Sequence, residues 1–260
     1  MSSTSLYVDA DSFLHRLDPR AKLALLVAMA VPAYTFGRPA FIAIPFVAAL
    51  VGLWIGQGLR NLRRVWFIIV ALFVVGLVVW PGFVERGGPV VVDVGPLYLT
   101  ERQTLFALGR SLRITSFILG GLVYVSTTSN EEIVRGMRGL GLPYAFCFAV
   151  GTALRLFPTF LDAAGTVRQA QEARGLEISS RNPIERARSF IPLLIPVFMT
   201  AFRNIETQSM ALEARGFDTR SERTFYRDSD FAFRDWLAVG FTVAVSVASI
   251  ALSTMGVGTF

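Results

Sequence analysis

Two tetrapeptides carry the sharpest chemistry in this sequence. Glu172-Ala173-Arg174-Gly175 is repeated as Glu213-Ala214-Arg215-Gly216. Each copy continues with an apolar residue and an acid, Leu176-Glu177 and Phe217-Asp218. Arginine presents five N–H donors in a planar fork that matches a carboxylate at two points. Glycine directly after it suits the left-handed position just past the last helical turn. A cation in that last turn complements the negative end of the helix dipole. Ala173 and Ala214 are small, so another surface can approach closely. Two readings stand open. Arg-Gly can be ordinary capping chemistry, or each arginine can be a fixed cationic tip for a carboxylate-lined groove. The wider match favours docking, because both copies end a long helical pattern.

Other chemistry is scarce. The chain holds one cysteine, Cys147, and one histidine, His15, so neither an intrachain disulfide nor a Cys/His catalytic or metal set can form. His15 reads as an interfacial residue in a polar N-terminal stretch. No Walker A pattern, metal cluster or nucleophile constellation is present. The expectation is a non-catalytic chain that binds no cofactor of its own. A membrane-embedded enzyme, the alternative from another class, would want Asp, Glu, His or Ser clusters near the interface, and the spans lack them.

The elements that position these corners follow from hydropathy. Of 260 residues, 53% are hydrophobic and 17% charged, against roughly 25% charged in a soluble domain. Residues 65–84 and 236–255 contain no charge. About 20 apolar residues match the hydrocarbon core at helical rise. The expected fold is therefore an all-α integral membrane protein with about five transmembrane helices, near 20–36, 40–57, 65–84, 104–126 and 236–255. Arg20 and Lys22 are expected to snorkel at the first span's end. Arg60, Arg63 and Arg64 read as a basic loop, and 85–103 as an external loop with room for a short hairpin. Arg110 and Arg113 fall inside the fourth span. Either the span starts later and 104–112 is interfacial, or one arginine pairs with a carboxylate on a neighbouring chain.

Between the fourth and fifth spans lie helical patterns interrupted by Pro143, Pro158, Pro183, Pro192 and Pro196, none expected to cross. Two long candidate helices run over 145–174 and 184–215, each about 45 Å if continuous. The division is 1–126 for the tail and first four spans, 127–235 for a cytosolic coupling block, and 236–260 for the last span. The net charge of +6 rests on 24 arginines and one lysine, and 14 of the arginines lie in 127–235. Charge beside membrane spans is the positive-inside bias, not a nucleic-acid footprint. It places the N-terminus and the coupling block in the cytosol of a multi-pass cell-membrane protein. The first 20 residues, with Asp9, Asp11, Asp18 and Pro19, lack the apolar core of a signal peptide.

Several segments carry a family resemblance: Leu14–Leu23 (LHRLDPRAKL), Thr127–Pro143 (TTSNEEIVRGMRGLGLP), Ala153–Phe160 (ALRLFPTF) and the two Glu-Ala-Arg-Gly corners. With them the chain resembles the transmembrane T component of energy-coupling factor transporters, the group that includes EcfT, CbiQ and BioN. The resemblance covers nearly the whole chain from Leu14 onward. It implies a coupling subunit of an importer for a vitamin or transition-metal ion; another ABC-type permease, docking its ATPases by one short coupling helix, is the alternative within transport, and the duplicated corner speaks against it. It implies two ABC-type ATPase partners, which bind ATP and Mg, and a membrane S component that captures the substrate. Carried over, Ala173, Arg174, Gly175, Ala214, Arg215 and Gly216 dock the ATPases. The apolar run 190–202, with Phe190, Ile191, Leu193, Leu194 and Phe198, would need the lipid interface or, as the resemblance favours, the S component.

Overall fold

Proline sets where the chain begins to coil. Pro19 opens α1 (Pro19–Thr35) and Pro39 opens α2 (Pro39–Ile55) in the computed structural model of the protein. Proline suits the first helical turn, where its missing N–H has no partner to lose. The structure describes residues 7–84, 89–94, 97–176, 183–218 and 231–258. After a turn at Gly56–Gly58, α3 (Leu59–Val79) runs into a 3₁₀ turn over Trp80–Phe83. A short antiparallel hairpin follows, β1 (Val90–Val94) with β2 (Leu97–Thr100), in register Val94↔Leu97 and Asp93↔Tyr98. The remaining helices are α4 (Glu101–Thr127), α5 (Asn130–Gly139), α6 (Tyr144–Ala173), α7 (Pro183–Ala214) and α8 (Phe233–Thr254).

The chain divides into two units, 3–140 with 229–260 and 141–228. In the first, α1 packs on α8, α4, α2 and α5, and α4 also packs on α2 and α3. Ala49, Leu53, Ile69, Leu119, Leu122 and Val123 form its core. Small residues bring the helices close. A Cβ at Gly109 would lie 2.7 Å from the Gly37 carbonyl oxygen. One end of this unit gathers the start of α1, the end of α2, the end of α4 and the start of α8. The opposite end gathers the end of α1, the start of α2 and the end of α8, where the Gly258 carbonyl accepts both the Gly37 and Arg38 N–H. The second unit is α6 packed on α7.

The architecture is the expected all-α membrane type, with one small hairpin in the long loop. Among the described residues, four helical segments are long and apolar enough to cross a membrane: Leu59–Phe83, α4, α6 and α8. At 17 residues each, α1 and α2 are about 25 Å long and shorter than that group. The length and apolarity of α6 depart from the expectation that nothing between 127 and 235 could cross. Arg60, Arg63 and Arg64 also depart from expectation. They are not in a loop but in the first turns of α3, because Gly56–Gly58 already make the turn. Nor do the prolines interrupt the long helices. Pro158 lies inside α6, and Pro192 and Pro196 inside α7. Interior proline forfeits one backbone hydrogen bond and bends a helix, and each of these helices has turns enough on both sides to continue.

Candidate docking corners and a buried charged node

The first corner closes α6 in a defined way. The Gly175 N–H donates to the Glu172 carbonyl at 3.0 Å, and the Leu176 N–H reaches back to the Gln171 carbonyl at 3.0 Å. Gly175 sits at φ +88°. This is the Schellman pattern, in which a left-handed residue lets the chain reverse and satisfy two orphan carbonyls. The second corner repeats it at the end of α7. There the Gly216 N–H donates to Glu213 at 2.9 Å, the Phe217 N–H to Leu212 at 3.0 Å, and Gly216 has φ +67°. The repeated sequence thus produces one repeated backbone device. In both copies the arginine is the cap residue, one position past the last helical residue, so its Cα–Cβ direction is held by the closure.

All six corner residues are exposed, from Ala173 to Gly175 and from Ala214 to Gly216. Among the described residues, neither Arg174 nor Arg215 has a carboxylate partner. Glu172 is held by Arg168, whose Nε donates to its Oε1 at 2.8 Å. Glu177, the acid after the first corner, lies outside the described residues. The apolar residue after the second corner has a packing role. The Phe217 ring lies 4.6 Å from Phe148 and 6.4 Å from Tyr144, centroid to centroid. Tyr144 and Phe148 belong to the start of α6, so α6 and α7 run antiparallel. The two corners therefore stand at opposite ends of the pair, about 45 Å apart over the 30 residues of α6.

The apolar run of α7 has a definite face. Ile191, Leu194, Ile195, Phe198, Met199 and Phe202 are all about half exposed or more. Their spacing of three and four residues puts them on one stripe. Phe190 is exposed beside them, while Leu193 is only partly exposed.

The sequence hides a third cluster, at the start of α1. Lys22 does not snorkel. Its side chain is 3% exposed, and Nζ donates to the Thr127 carbonyl at 2.7 Å and to Glu132 Oε2 at 3.2 Å. Thr127 ends α4, so the ammonium satisfies a helix-end carbonyl while pairing with the first turn of α5. Glu132 is held in turn by the Ser129 N–H, and Ser129 Oγ accepts the Glu132 N–H, a reciprocal capping box. Beside them, the Asp18 N–H donates to Asp235 Oδ1 at 2.8 Å and the Ala232 N–H to Asp235 Oδ2 at 3.0 Å. One buried carboxylate of α8 thus joins the N-terminal ends of α1 and α8. The readable signals were Asp18 ahead of Pro19 and the Ser129-x-x-Glu132 box; the pairing across more than 100 residues was not readable.

Arg110 and Arg113 of α4 find partners within the chain. Arg113 Nη2 donates to the Phe36 carbonyl at 2.6 Å, and its guanidinium lies over Tyr34. Arg110 lies over Trp80 and Phe106. Phe36 ends α1, so this height on α4 is level with the α1–α2 turn. The first three turns of α4 extend past that turn.

Comparison with known proteins matches the chain to one family. A family model described as cobalt transport protein, CbiQ, matches residues 10–226. The chain is 32% identical over 257 residues to the energy-coupling factor transporter transmembrane protein EcfT of Thermosediminibacter oceani, covering 94% of this chain and 95% of that one. To the protein of the same name from Brevibacillus brevis it is 32% identical, covering 93% and 92%. To that of Staphylococcus aureus it is 28% identical over 264 residues, covering 96% and 97%. The chain belongs to the CbiQ/EcfT family of energy-coupling factor transporter transmembrane proteins.

Proposed function

We propose that this chain is the coupling subunit of an importer for a vitamin or transition-metal ion, carrying motion from two ABC-type ATPases to a substrate-binding S component. Arg174 and Arg215 dock one ATPase each, flanked by Ala173, Gly175, Ala214 and Gly216. ATP and Mg belong to the ATPases, and this chain binds no cofactor. The chain lies in the cell membrane with its N-terminus and the corners in the cytosol. The α7 stripe, with Phe190, Ile191, Leu194 and Phe198 and the less exposed Leu193, meets the S component.

One observation carries the proposal: two identical helix closures, each presenting an exposed arginine, at opposite ends of an antiparallel pair. Capping chemistry alone requires neither the repetition nor a cation without a carboxylate. A separation of about 45 Å suits one tip per ATPase subunit rather than two tips in one groove.

The test is copurification of co-expressed ABC-type ATPases with Arg174→Ala and Arg215→Ala variants of the full chain. A docking arginine is worth about 2 kcal/mol or more in an interface centre, a loss of roughly 30-fold in affinity. Each variant should lose ATPase while remaining in the membrane fraction. Arg→Lys should recover only part, because an ammonium lacks the planar fork. Normal ATPase recovery with both alanine variants would refute the docking role.

A further inference from the structure

We propose that Arg110 and Arg113, with the rings of Trp80, Phe106 and Tyr34, form a site for the phosphate group of a membrane phospholipid. The site lies at the end of the bundle where α1 passes into α2.

Height is the first argument. Gly109 packs against the Gly37 carbonyl and Arg113 donates to the Phe36 carbonyl, so the pair is level with the α1–α2 turn. Two adjacent spans that end at one height mark where hydrocarbon gives way to headgroups. Aromatic rings populate the same layer. Tyr34 is 73% and Phe83 74% exposed, as expected of rings at a membrane interface.

Charge is the second. Guanidinium stays protonated in proteins, so each arginine must find acceptors or a counter-ion. Helices α1, α2 and α3 contain no Asp or Glu, and the acid of α4, Glu101, is more than two turns from Arg110. Among the described residues, neither arginine forms an ion pair. Of the donors of Arg113, Nη2 is used by Phe36, and Nε is buried without a partner. Arg110 Cζ stands 5.0 Å from the Phe106 centroid and 5.7 Å from that of Trp80. A cation held on ring faces keeps its N–H edge free for an anion in plane. Arg110 presents such a fork, and Arg113, three residues on along α4, adds its charge and the N–H groups not spent on Phe36; together they match the non-bridging oxygens of a phosphodiester. A lipid supplies that group at this height, with acyl chains against the exposed apolar face of α3, where Val75, Val78 and Val79 point outward.

The test uses the full chain, delipidated in detergent and titrated with dioleoylphosphatidylglycerol, with bound lipid read by native mass spectrometry. The wild type should retain the lipid. Arg110→Gln should bind it at least tenfold more weakly, and Arg110→Gln/Arg113→Gln should lose it. Arg110→Gln is the decisive variant, because it leaves the Arg113 bond to Phe36 in place and so spares the fold. Dioleoylglycerol, which lacks the phosphate, should not bind, and inorganic phosphate at tens of millimolar should neither displace the lipid nor raise the melting temperature. Equal lipid binding by wild type and Arg110→Gln overturns the proposal. So does equal binding of dioleoylglycerol, and so does displacement by inorganic phosphate, which would mark a soluble-anion site instead.

Discussion

Removing Glu132 should destabilise this protein far more than its place on a ten-residue helix suggests. Lys22 is 3% exposed at the side chain and Glu132 22%. In Glu132→Met the ammonium keeps only the Thr127 carbonyl, leaving a buried charge without its counter-ion. That situation costs about 3–5 kcal/mol, and the lost capping box adds about 1 kcal/mol. Lys22→Met is milder. It forfeits one charge-assisted hydrogen bond to a carbonyl, worth about 1.5–3 kcal/mol, while the more exposed Glu132 keeps the Ser129 N–H. In the double variant Lys22→Met/Glu132→Met neither charge of the pair remains. Its loss should therefore fall at least about 2 kcal/mol below the sum of the two singles. Unfolding by a denaturing detergent in mixed micelles, followed by far-ultraviolet circular dichroism, measures all four proteins. Glu132→Gln, which preserves the cap, separates the capping contribution. If the two single losses add to within about 0.5 kcal/mol, the sites are independent and the buried pair is not what fastens α5 to α1.

Two further perturbations test the geometry directly. Gly175→Ala and Gly216→Ala meet no neighbour within 4 Å, so their cost is the left-handed backbone alone, about 1–2 kcal/mol; hydrogen exchange should speed up at Leu176 and Phe217, and unchanged exchange would count against the Schellman closures. Gly109→Ala puts a methyl 2.7 Å from the Gly37 carbonyl oxygen and should cost about 1–3 kcal/mol by overpacking, against the gain that Gly→Ala normally brings inside a helix; a stabilised variant in the same detergent titration would show that α4 does not approach the α1–α2 turn this closely.

The long helices were legible because their ends are chemically marked. Candidate helices over 145–174 and 184–215 lie within one residue of α6 and α7, since Pro143 and Pro183 mark the starts and Gly175 and Gly216 the ends. The corners were legible for the same reason: a left-handed residue after a helix leaves glycine as the natural choice. What failed was inference from single residue types. Three arginines in five positions suggested a loop, yet Gly56–Gly58 had already turned the chain, and Arg60, Arg63 and Arg64 are exposed on α3. Proline in the middle of a pattern suggested a break, though a long helix tolerates one missing bond. Lys22 suggested snorkelling because its partner lies 110 residues away, a separation that no local periodicity reports. The aromatic shelves beneath Arg110 and Arg113 were hidden for the same reason, as Tyr34 and Trp80 come from other helices.

The packing of α1 against α8 sets an order of events during synthesis. The Asp18 N–H and the Asp235 carboxylate that receives it are 217 positions apart. At 5–20 residues per second, a ribosome needs roughly 10–40 s to make that stretch. For most of this interval α1 exists without α8, and the face it will give to α8 has no partner from its own chain. The bundle is therefore completed from its two extremities, and a translational stall between them would strand a half-built particle whose first helix is still waiting for its last.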